Sequence, residues 1–255
     1  MKNDIFSEHG IEHLSVSSCN TFITDPARWV AKYLFGMETK SGPAAWRGTV
    51  VDEATGVYLM SEKPNLKKCT DLAMRRFKGL TEYNEIDPHD DKCSKERHLV
   101  PEYLKTAVEF YETLGVPKEY QKQITLDVGM SVPMLGYIDL QYDGIVRDIK
   151  TVGRIPSEVP NTVKRQLSLY AKAEESLPIV DYICVTTRKQ EVKSVVVEDV
   201  DSHFEDLMRS ARAIERVLQI GDKNEIAQLY FPNLDSWMWT DEEKQFAKTI
   251  WSNNE

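Results

Sequence analysis

The sequence predicts an α/β protein in which a mixed central β-sheet is flanked by helices, with helical additions at both ends. Two observations support this prediction. Three β-rich runs separated by turn signals begin at about residue 123, and amphipathic helical patterns lie on both sides of them. The predicted order is helices, three strands, a helix, two strands and helices. A crossover helix between the third and fourth strands makes the sheet mixed, with both parallel and antiparallel pairs.

The first part, residues 1–120, is predicted to be helical. Asp25 followed by Pro26 is a typical helix start, because Asp caps the free N–H groups and Pro fits the first helical position. The remaining predictions for this part are a helix over 44–60, short helices with a mobile loop around Asp87–Asp91 over 62–98, and a helix over 101–114.

The second part, residues 121–200, is predicted to be the catalytic sheet core. Its first three strands are ITLDVGM, LGYIDLQYD and GIVRDIKT, and Asp143-Gly144 is the signal of a tight hairpin turn. A helix starts at Pro160-Asn161, and the strands IVDYICVTT and VKSVVVEDV follow it. The third part, residues 201–255, is predicted to be C-terminal helices, the first over 202–219. We expect the three parts to form a single domain.

Composition limits the class of protein. A chain of 255 residues with 41% hydrophobic and 29% charged residues can form one sizeable core. No apolar run approaches the ~18 residues that span a bilayer, and the N-terminus lacks the apolar stretch of a secretory signal. We therefore expect a cytoplasmic protein without a membrane partner. The net charge of -9 argues against a protein that coats nucleic acid, although an acidic enzyme can still carry a basic groove.

Charged residues on two neighbouring predicted strands point to a metal site. Asp148 and Lys150 are two positions apart on one strand and therefore share a face. The hairpin can bring Asp139 next to Asp148 across the strand pair. Adjacent carboxylates repel each other, and a hard divalent cation such as Mg²⁺ or Mn²⁺ relieves that repulsion. Such an ion activates water and stabilises the leaving oxygen in phosphodiester cleavage.

These segments resemble a known family. G-Y-I-D at 136–139 and D-I-K at 148–150 resemble the core of PD-(D/E)XK nucleases, whose fold is a restriction-endonuclease-like αβββαβ core. The helix that follows carries Gln166 and Tyr170, similar to the Q-x-x-x-Y motif of the RecB-like branch. The segment 15–34 is similar to the opening of that branch. The segment 46–52 is similar to its G-x-x-x-(H/E) motif, with Asp52 in place of His or Glu.

The resemblance implies a set of site residues. The implied catalytic residues are Asp139, Asp148, Lys150, Gln166 and Tyr170, and the implied metal ligands are Asp52, Asp139, Asp148 and the backbone carbonyl of Ile149. The adjacent Glu53 is an alternative to Asp52. The candidate DNA contacts are Arg47, Arg147, Arg154, Lys164 and Arg165, with Arg28 and Lys172 as further candidates.

The function implied is a Mg²⁺- or Mn²⁺-dependent DNA exonuclease that acts from single-stranded or duplex ends in recombination, repair or DNA degradation. A structure-specific or nicking endonuclease of the same fold is one alternative. A degenerate DNA-binding protein without catalysis is another. The resemblance is to phage and bacterial recombination exonucleases, so the expectation includes a phage-encoded enzyme that acts in a host cytoplasm. It also includes a recombinase or single-strand-binding protein as partner, and assembly into a homo-oligomer.

Two other activities are not expected. Some RecB-like nucleases hold an iron–sulfur cluster on four cysteines, one before the nuclease core and three after it. Here Asp25 stands where the first of these cysteines is usual, and no cysteine follows Cys184, so no iron–sulfur cluster is expected. The sequence also has no G-x-x-x-x-G-K-[ST] motif, which excludes a P-loop motor in this chain.

Overall fold

The computed structural model describes residues 4–252, which divide into two compact units. The first unit contains the residues up to Thr39, then Ile124–Gly136, and the residues from Asp199 onward. The second contains Lys40–Gln123 and Tyr137–Glu198. Each unit combines segments that are distant along the chain.

The elements follow one another in the predicted order, except that a short strand, β1, which the sequence does not predict, lies between the first two helices. The helices are α1 (Ile5–Glu8), α2 (Val16–Thr24), α3 (Pro26–Tyr33), α4 (Pro43–Leu59), α5 (Leu66–Tyr83), α6 (Asp91–Glu112), α7 (Asn161–Glu174), α8 (Val200–Leu218), α9 (Lys223–Ala227) and α10 (Asp241–Trp251). The strands are β1 (Leu14–Ser15), β2 (Glu119–Leu126), β3 (Met134–Tyr142), β4 (Ile145–Val152), β5 (Leu177–Val185) and β6 (Gln190–Val196). No helix among residues 4–252 is long and apolar enough to cross a bilayer.

The first unit is mainly helical. Asp25 caps α3 as predicted, since its carboxylate accepts a hydrogen bond from Arg28 N at 2.9 Å and Pro26 is the first helical residue. Trp29 is fully buried on α3 and stacks on Tyr33 with ring centroids 5.6 Å apart. The long amphipathic helix α8 packs against α2, so burial of apolar faces holds this unit together.

The sheet has the strand order β1-β3-β4-β5-β6, with β2 also paired to β3. Strands β3 and β4 are antiparallel and are joined by the predicted Asp143-Gly144 turn, in which Gly144 has a φ of 66°. Strands β4 and β5 are parallel and are connected through α7, whereas β5 and β6 are antiparallel. The sheet is therefore mixed and flanked by helices, which confirms the predicted fold class.

Helices α4, α5 and α6 pack against one another in the second unit, and α4 and α6 also contact the sheet. The sequence prediction of short helices over 62–98 is wrong, because α5 and α6 are long. Four buried residues of α5, Cys69, Ala73, Phe77 and Thr81, recur every fourth position among charged neighbours. Helix α6 also continues through Pro101, where the sequence had suggested a helix start. Burial of Val100, Tyr103, Leu104 and Ala107 on the same helix offsets the backbone bond that proline cannot donate.

One glycine of α4 is required by close packing. A Cβ atom on Gly56 would lie 2.2 Å from Cε2 of Tyr120, a distance at which the ring must move. The exposed Gly79 in α5 has nothing within 4 Å of the same position. These two helical glycines therefore form a matched pair with the same intrinsic helix propensity and opposite surroundings.

We expect Gly56→Ala to destabilise the protein by ~1–3 kcal/mol through displacement of Tyr120. Gly79→Ala should stabilise it by up to ~1 kcal/mol, because alanine favours the helix. Urea unfolding of both variants measures the two free energies. A Gly56→Ala protein as stable as the wild type would show that the contact with Tyr120 is not a packing constraint.

Candidate active site

Strands β3 and β4 bring together the three residues predicted to form the core of the site. The antiparallel ladder places Leu140 opposite Arg147, and Asp139 and Asp148 come next along the two strands. Asp148 is fully buried. The Nζ atom of Lys150 donates a hydrogen bond to Asp148 Oδ1 at 2.9 Å and lies 2.7 Å from Oδ2. The two residues therefore share a face of β4, as their spacing predicts.

The carboxylate of Asp139 is held by the backbone of the neighbouring strand. Its Oδ2 atom accepts a hydrogen bond from the backbone N–H of Ile149 at 2.7 Å. The side chain of Asp139 thus accepts a hydrogen bond from a backbone N–H that, in a longer β3–β4 ladder, would donate to a carbonyl of β3. This bond fixes Asp139 against the D-I-K segment of β4.

Asp52 reaches the same place from α4. Gly48 lies one turn earlier, and a Cβ atom there would be 3.2 Å from Thr151 Oγ1 of β4. The absence of a side chain at Gly48 therefore allows α4 to approach β4 closely. Asp52 is joined to Asp139 through one shared donor, because Gln121 Nε2 lies 2.5 Å from Asp52 Oδ2 and 3.2 Å from Asp139 Oδ1.

Glu53 points elsewhere. Its carboxylate lies 3.4 Å from the guanidinium of Arg76 on α5, and its side chain is 39% exposed. Of the two adjacent acids, the structure therefore brings Asp52 to the cleft and leaves Glu53 on the outer surface of the helix.

These residues line a cleft of about 320 Å³ in the second unit. Its walls are Ala44, Ala45, Gly48, Thr49, Asp52, Asp139, Ile149, Lys150 and Thr151. The side chains contributed by α4 other than Asp52 are small, which leaves room for a ligand beside the carboxylates. A larger cavity of about 600 Å³ lies in the first unit, and its one histidine, His9, is hydrogen-bonded to Leu218 O.

Burial raises the pKa values of all three acids, and repulsion by neighbouring carboxylates of the site adds to the shifts of Asp52 and Asp139. Burial, followed by the charges of Asp139 and Asp148, raises the pKa of Asp52 to about 9. Burial and the charge of Asp148 raise the pKa of Asp139 to about 7. Burial also raises the pKa of Asp148, against the opposing effect of Lys150. Burial lowers the pKa of Lys150, but the negative charges of Asp148 and Asp139 outweigh it and the net shift is upward.

Helix α7 adds the Gln166 and Tyr170 pair. Gln166 Nε2 donates a hydrogen bond to the Tyr170 hydroxyl at 2.8 Å, so the two residues share a helix face as their i, i+4 spacing predicts. Tyr170 is buried, and burial followed by the negative charge of Asp148 raises the pKa of its hydroxyl. The pair therefore lies close to Asp148.

Sequence comparison now places the chain in a family. A sequence model of the PD-(D/E)XK nuclease superfamily matches residues 13–237, which is most of the chain. This chain belongs to the PD-(D/E)XK nuclease superfamily.

Two further comparisons add little to this assignment. Among curated protein sequences, none is significantly similar to this PD-(D/E)XK chain. A solved structure described as the crystal structure of SSO0001 aligns at 14% identity over 65% of this chain and 84% of its own, with a TM-score of 0.31. A superposition this loose supports no statement about fold or function.

The site has the donor chemistry for the divalent cation that PD-(D/E)XK nucleases use. The buried Asp52 Oδ1 accepts no hydrogen bond, and Asp148 Oδ2 is contacted only by the ammonium group of Lys150 at 2.7 Å. Carboxylate oxygens are preferred ligands of Mg²⁺ and Mn²⁺, and a buried acceptor without a donor is costly. The residues present therefore fit such an ion. Within residues 4–252, no three His, Cys, Asp or Glu side chains are already gathered at metal-binding distances.

Arg47 and Arg147, two of the candidate DNA contacts, are buried in ion pairs. Arg47 pairs with Glu96 and lies over the Tyr103 ring at 4.3 Å. Arg147 projects from the opposite face of β4 from Asp148 and donates a hydrogen bond to Asp181 Oδ1 at 2.8 Å. Both guanidiniums are therefore engaged inside the protein and not presented to a DNA backbone at the surface.

The remaining candidates differ in exposure. Arg165 is buried on α7, whereas Arg154 is exposed in the segment after β4 and Lys164 is half-buried in the first turn of α7. In the first unit, Arg28 is paired with Glu243 at 2.7 Å. Lys172, near the end of α7, is also exposed. Arg154, Lys164 and Lys172 are therefore the basic candidates of the second unit that solvent reaches.

Two residues at the site were not predicted from the sequence. Gln121 bridges Asp52 and Asp139, and no motif marks it. Tyr182 lies opposite Lys150 in the β4–β5 register, and its buried hydroxyl has no hydrogen-bond partner. Burial and then the charge of Asp148 raise the pKa of Tyr182. Pairing β4 with β5 in parallel register places Tyr182 beside Lys150, so the sequence could have suggested it. No motif or periodicity near Gln121 suggests its role.

The raised pKa values predict how stability depends on pH in the absence of metal. Above about pH 4 the folded protein holds protons that the unfolded chain releases, on Asp52 up to about pH 9 and on Asp139 up to about pH 7, since their pKa values are raised to about 9 and about 7. Stability in EDTA should therefore fall as pH rises through this range. Asp52→Asn should reduce the fall by roughly 1–3 kcal/mol and raise the melting temperature at pH 8.

Thermal unfolding of the wild type and Asp52→Asn at pH 5 and pH 8 in EDTA measures this effect. Glu53→Gln is the matched control, because its side chain is the neighbouring acid outside the cleft, and it should follow the wild type. A wild-type protein more stable at pH 8 than at pH 5 would contradict the predicted sign.

Proposed function

We propose that this PD-(D/E)XK protein is a Mg²⁺- or Mn²⁺-dependent deoxyribonuclease of the RecB-like branch that degrades DNA from its ends. The observation that carries the proposal is the cleft lined by Asp52 from α4 and by Asp139 and Lys150 from the sheet, with the buried carboxylate of Asp148 paired to Lys150. The Gln166–Tyr170 pair beside Asp148 supports the RecB-like branch.

The oxygens of Asp52, Asp139, Asp148 and the Ile149 carbonyl would hold the divalent ion. When bound, such an ion supplies a Lewis acid for the phosphate and lowers the pKa of water. Lys150 has a raised pKa and is therefore a cation at neutral pH. Beside Asp148, its ammonium group can orient a water molecule and stabilise negative charge that develops on the phosphate.

DNA would be held mainly through its phosphates. Arg154 and Lys164 lie between the end of β4 and the first turn of α7, and solvent reaches both. Lysine and arginine contacts to phosphate carry no sequence information and weaken as salt rises. We therefore propose cleavage with little sequence preference. A role in recombination, repair or DNA degradation in the cytoplasm, with a recombinase or single-strand-binding protein as partner, is part of this proposal.

Lys150→Ala should lower the cleavage rate by at least ~10² while DNA binding changes little, and its fold is checked by circular dichroism because Asp148 loses its buried partner. Lys150→Arg should also fail, because the guanidinium has a different shape and cannot reproduce the ammonium contact. Single-turnover cleavage of end-labelled DNA with Mg²⁺ measures both rates. Lys118→Ala is the control, since Lys118 is 61% exposed and pairs with Asp143 at the hairpin turn. Near wild-type cleavage by either Lys150 variant would remove Lys150 from the mechanism.

The requirement for a DNA end is tested by comparing linear DNA with covalently closed circular DNA. Linear single-stranded and duplex DNA should be shortened progressively in Mg²⁺, whereas covalently closed circles of the same sequence should persist. Excess EDTA should stop the reaction, and rising salt should slow it. The Lys150→Ala protein, purified in the same way, controls for contaminating nucleases. Closed circles cut as fast as linear DNA would replace the exonuclease proposal with the endonuclease alternative, and full activity in EDTA would contradict metal dependence.

A further inference from the structure

Gln121 occupies the space between two of the acids assigned to the metal. Its side-chain amide lies 2.5 Å from Asp52 Oδ2 and 3.2 Å from Asp139 Oδ1. As a donor, the amide nitrogen satisfies one oxygen of each carboxylate in the protein without metal. It does not satisfy Asp52 Oδ1, which stays buried without a hydrogen bond. The amide therefore joins the two acids but leaves part of their charge uncompensated.

The backbone at Gln121 is strained in a way that aims this side chain. Gln121 lies inside β2 but has a φ of 50°, in the left-handed region that costs a residue with a Cβ atom about 1 kcal/mol or more. A left-handed residue within a strand changes the face to which its side chain points, as in a β-bulge. Gln121 is thereby directed to Asp52 and Asp139, whereas Gln123 on the same strand is exposed and accepts a hydrogen bond from the Tyr137 hydroxyl.

Both neighbours of Gln121 hold the strained conformation in place. The ring of Tyr120 packs on Gly56 of α4, one turn beyond Asp52. Lys122 donates hydrogen bonds to Glu174 at 2.8 Å and to Gln141 at 2.9 Å. The position of the Gln121 amide is therefore determined by the surrounding packing, which is the condition under which backbone strain persists at a functional position.

The distances match those between ligands of one ion. Mg²⁺ binds six oxygens at 2.0–2.1 Å in an octahedron, so neighbouring ligand oxygens are about 3 Å apart. The terminal atom of Gln121 lies 2.5 Å and 3.2 Å from one oxygen of each acid, which brackets that spacing. A glutamine amide presents its nitrogen or its oxygen at nearly the same point after a half-turn about its last side-chain bond.

The cleft beside Asp52 and Asp139 has room for a further oxygen ligand. Among the described residues no three His, Cys, Asp or Glu side chains form a ready metal-binding group, and Asp148 is engaged by Lys150. We propose that Gln121 is a ligand of the divalent cation, with its amide nitrogen bridging Asp52 and Asp139 when the metal is absent and its amide oxygen turned to the metal when it is present. This inference rests on the proposed metal-dependent function, and it adds a residue that the family motifs do not include.

Metal binding without DNA tests the assignment independently of catalysis. Free Mn²⁺ is measured by electron paramagnetic resonance in titrations of the wild type, Gln121→Met, Gln121→Glu, Gln123→Met and Asp139→Asn. Methionine keeps the length of the side chain but offers neither an amide donor nor an oxygen. We expect Gln121→Met to raise the Kd for Mn²⁺ at least tenfold, Gln123→Met to leave it within twofold, and Asp139→Asn to abolish saturable binding.

The Gln121→Glu variant distinguishes a role as metal ligand from a purely structural role as a bridge between the two acids. Glutamate retains an oxygen ligand, so this variant should bind Mn²⁺ at least as tightly as the wild type. It cannot donate an amide hydrogen bond to the two acids and adds a third carboxyl group beside them, so its melting temperature in EDTA at pH 8 should be lower than that of the wild type. The same variant should then gain more thermal stability on adding Mn²⁺ than the wild type does.

The two proposals fail in different ways. Wild-type affinity, or tighter binding, in a folded Gln121→Met protein would show that the amide only bridges or competes, and the inference on Gln121 would be wrong while the metal centre stands. If Gln121→Met does not fold, weaker Mn²⁺ binding by Gln121→Glu than by the wild type would overturn the inference. A wild-type protein without saturable Mn²⁺ binding, or with binding unaffected by Asp139→Asn, would instead refute the metal-dependent function itself.

Discussion

Two carboxylates, those of Asp52 and Asp139, line one cleft, and the fully buried carboxylate of Asp148 is paired with the lysine that lines the same cleft. The packing of the second unit has to keep these acids largely out of water. The pKa values of Asp52, Asp139 and Asp148 are all raised, because burial removes hydration and the like charges repel. Lys150 and the backbone N–H of Ile149 offset only part of this cost. Without metal the site is a source of instability that the surrounding packing has to outweigh, a common relation between stability and function.

The site acids are held in place by close contacts of α4 with its neighbours, at positions where few side chains would fit. Gly48 lets α4 come near β4, and Gly56 receives the ring of Tyr120. Asp52 lies between these two glycines on the same helix and is therefore fixed from both sides. The buried aromatic and aliphatic residues of α4, α5 and α6 supply the apolar contacts that hold the helix in this position.

The sequence predicts the parts of the structure that depend on local geometry. The Asp143-Gly144 hairpin, the shared face of Asp148 and Lys150, and the shared face of Gln166 and Tyr170 follow from turn chemistry and from strand and helix periods. They are therefore visible in short windows of sequence. The fold class follows from the order of these windows, because the crossover through α7 requires a parallel pair next to antiparallel ones.

What the sequence does not predict depends on distant partners. Arg47 and Arg147 look like exposed bases until Glu96 and Asp181 are brought to them from 49 and 34 residues away. The left-handed backbone of Gln121 is imposed by packing around β2 and has no residue signature, since glutamine is not a residue that favours it. The lengths of α5 and α6 were misjudged because their buried residues are sparse among charges, and only packing against α4 shows that they form one face.

The two-sided character of β4 has a consequence for the accuracy of folding. Asp148 and Lys150 lie on one face of the strand, and Arg147 lies on the other in a buried network with Asp181, Tyr111 and Ser194. A shift of β4 by one residue would exchange the faces, placing a guanidinium in the cleft and a carboxylate next to another buried acid. The charges on both faces of β4 therefore disfavour the same one-residue shift. The strand that carries the chemistry is therefore also the strand least free to pair in the wrong alignment.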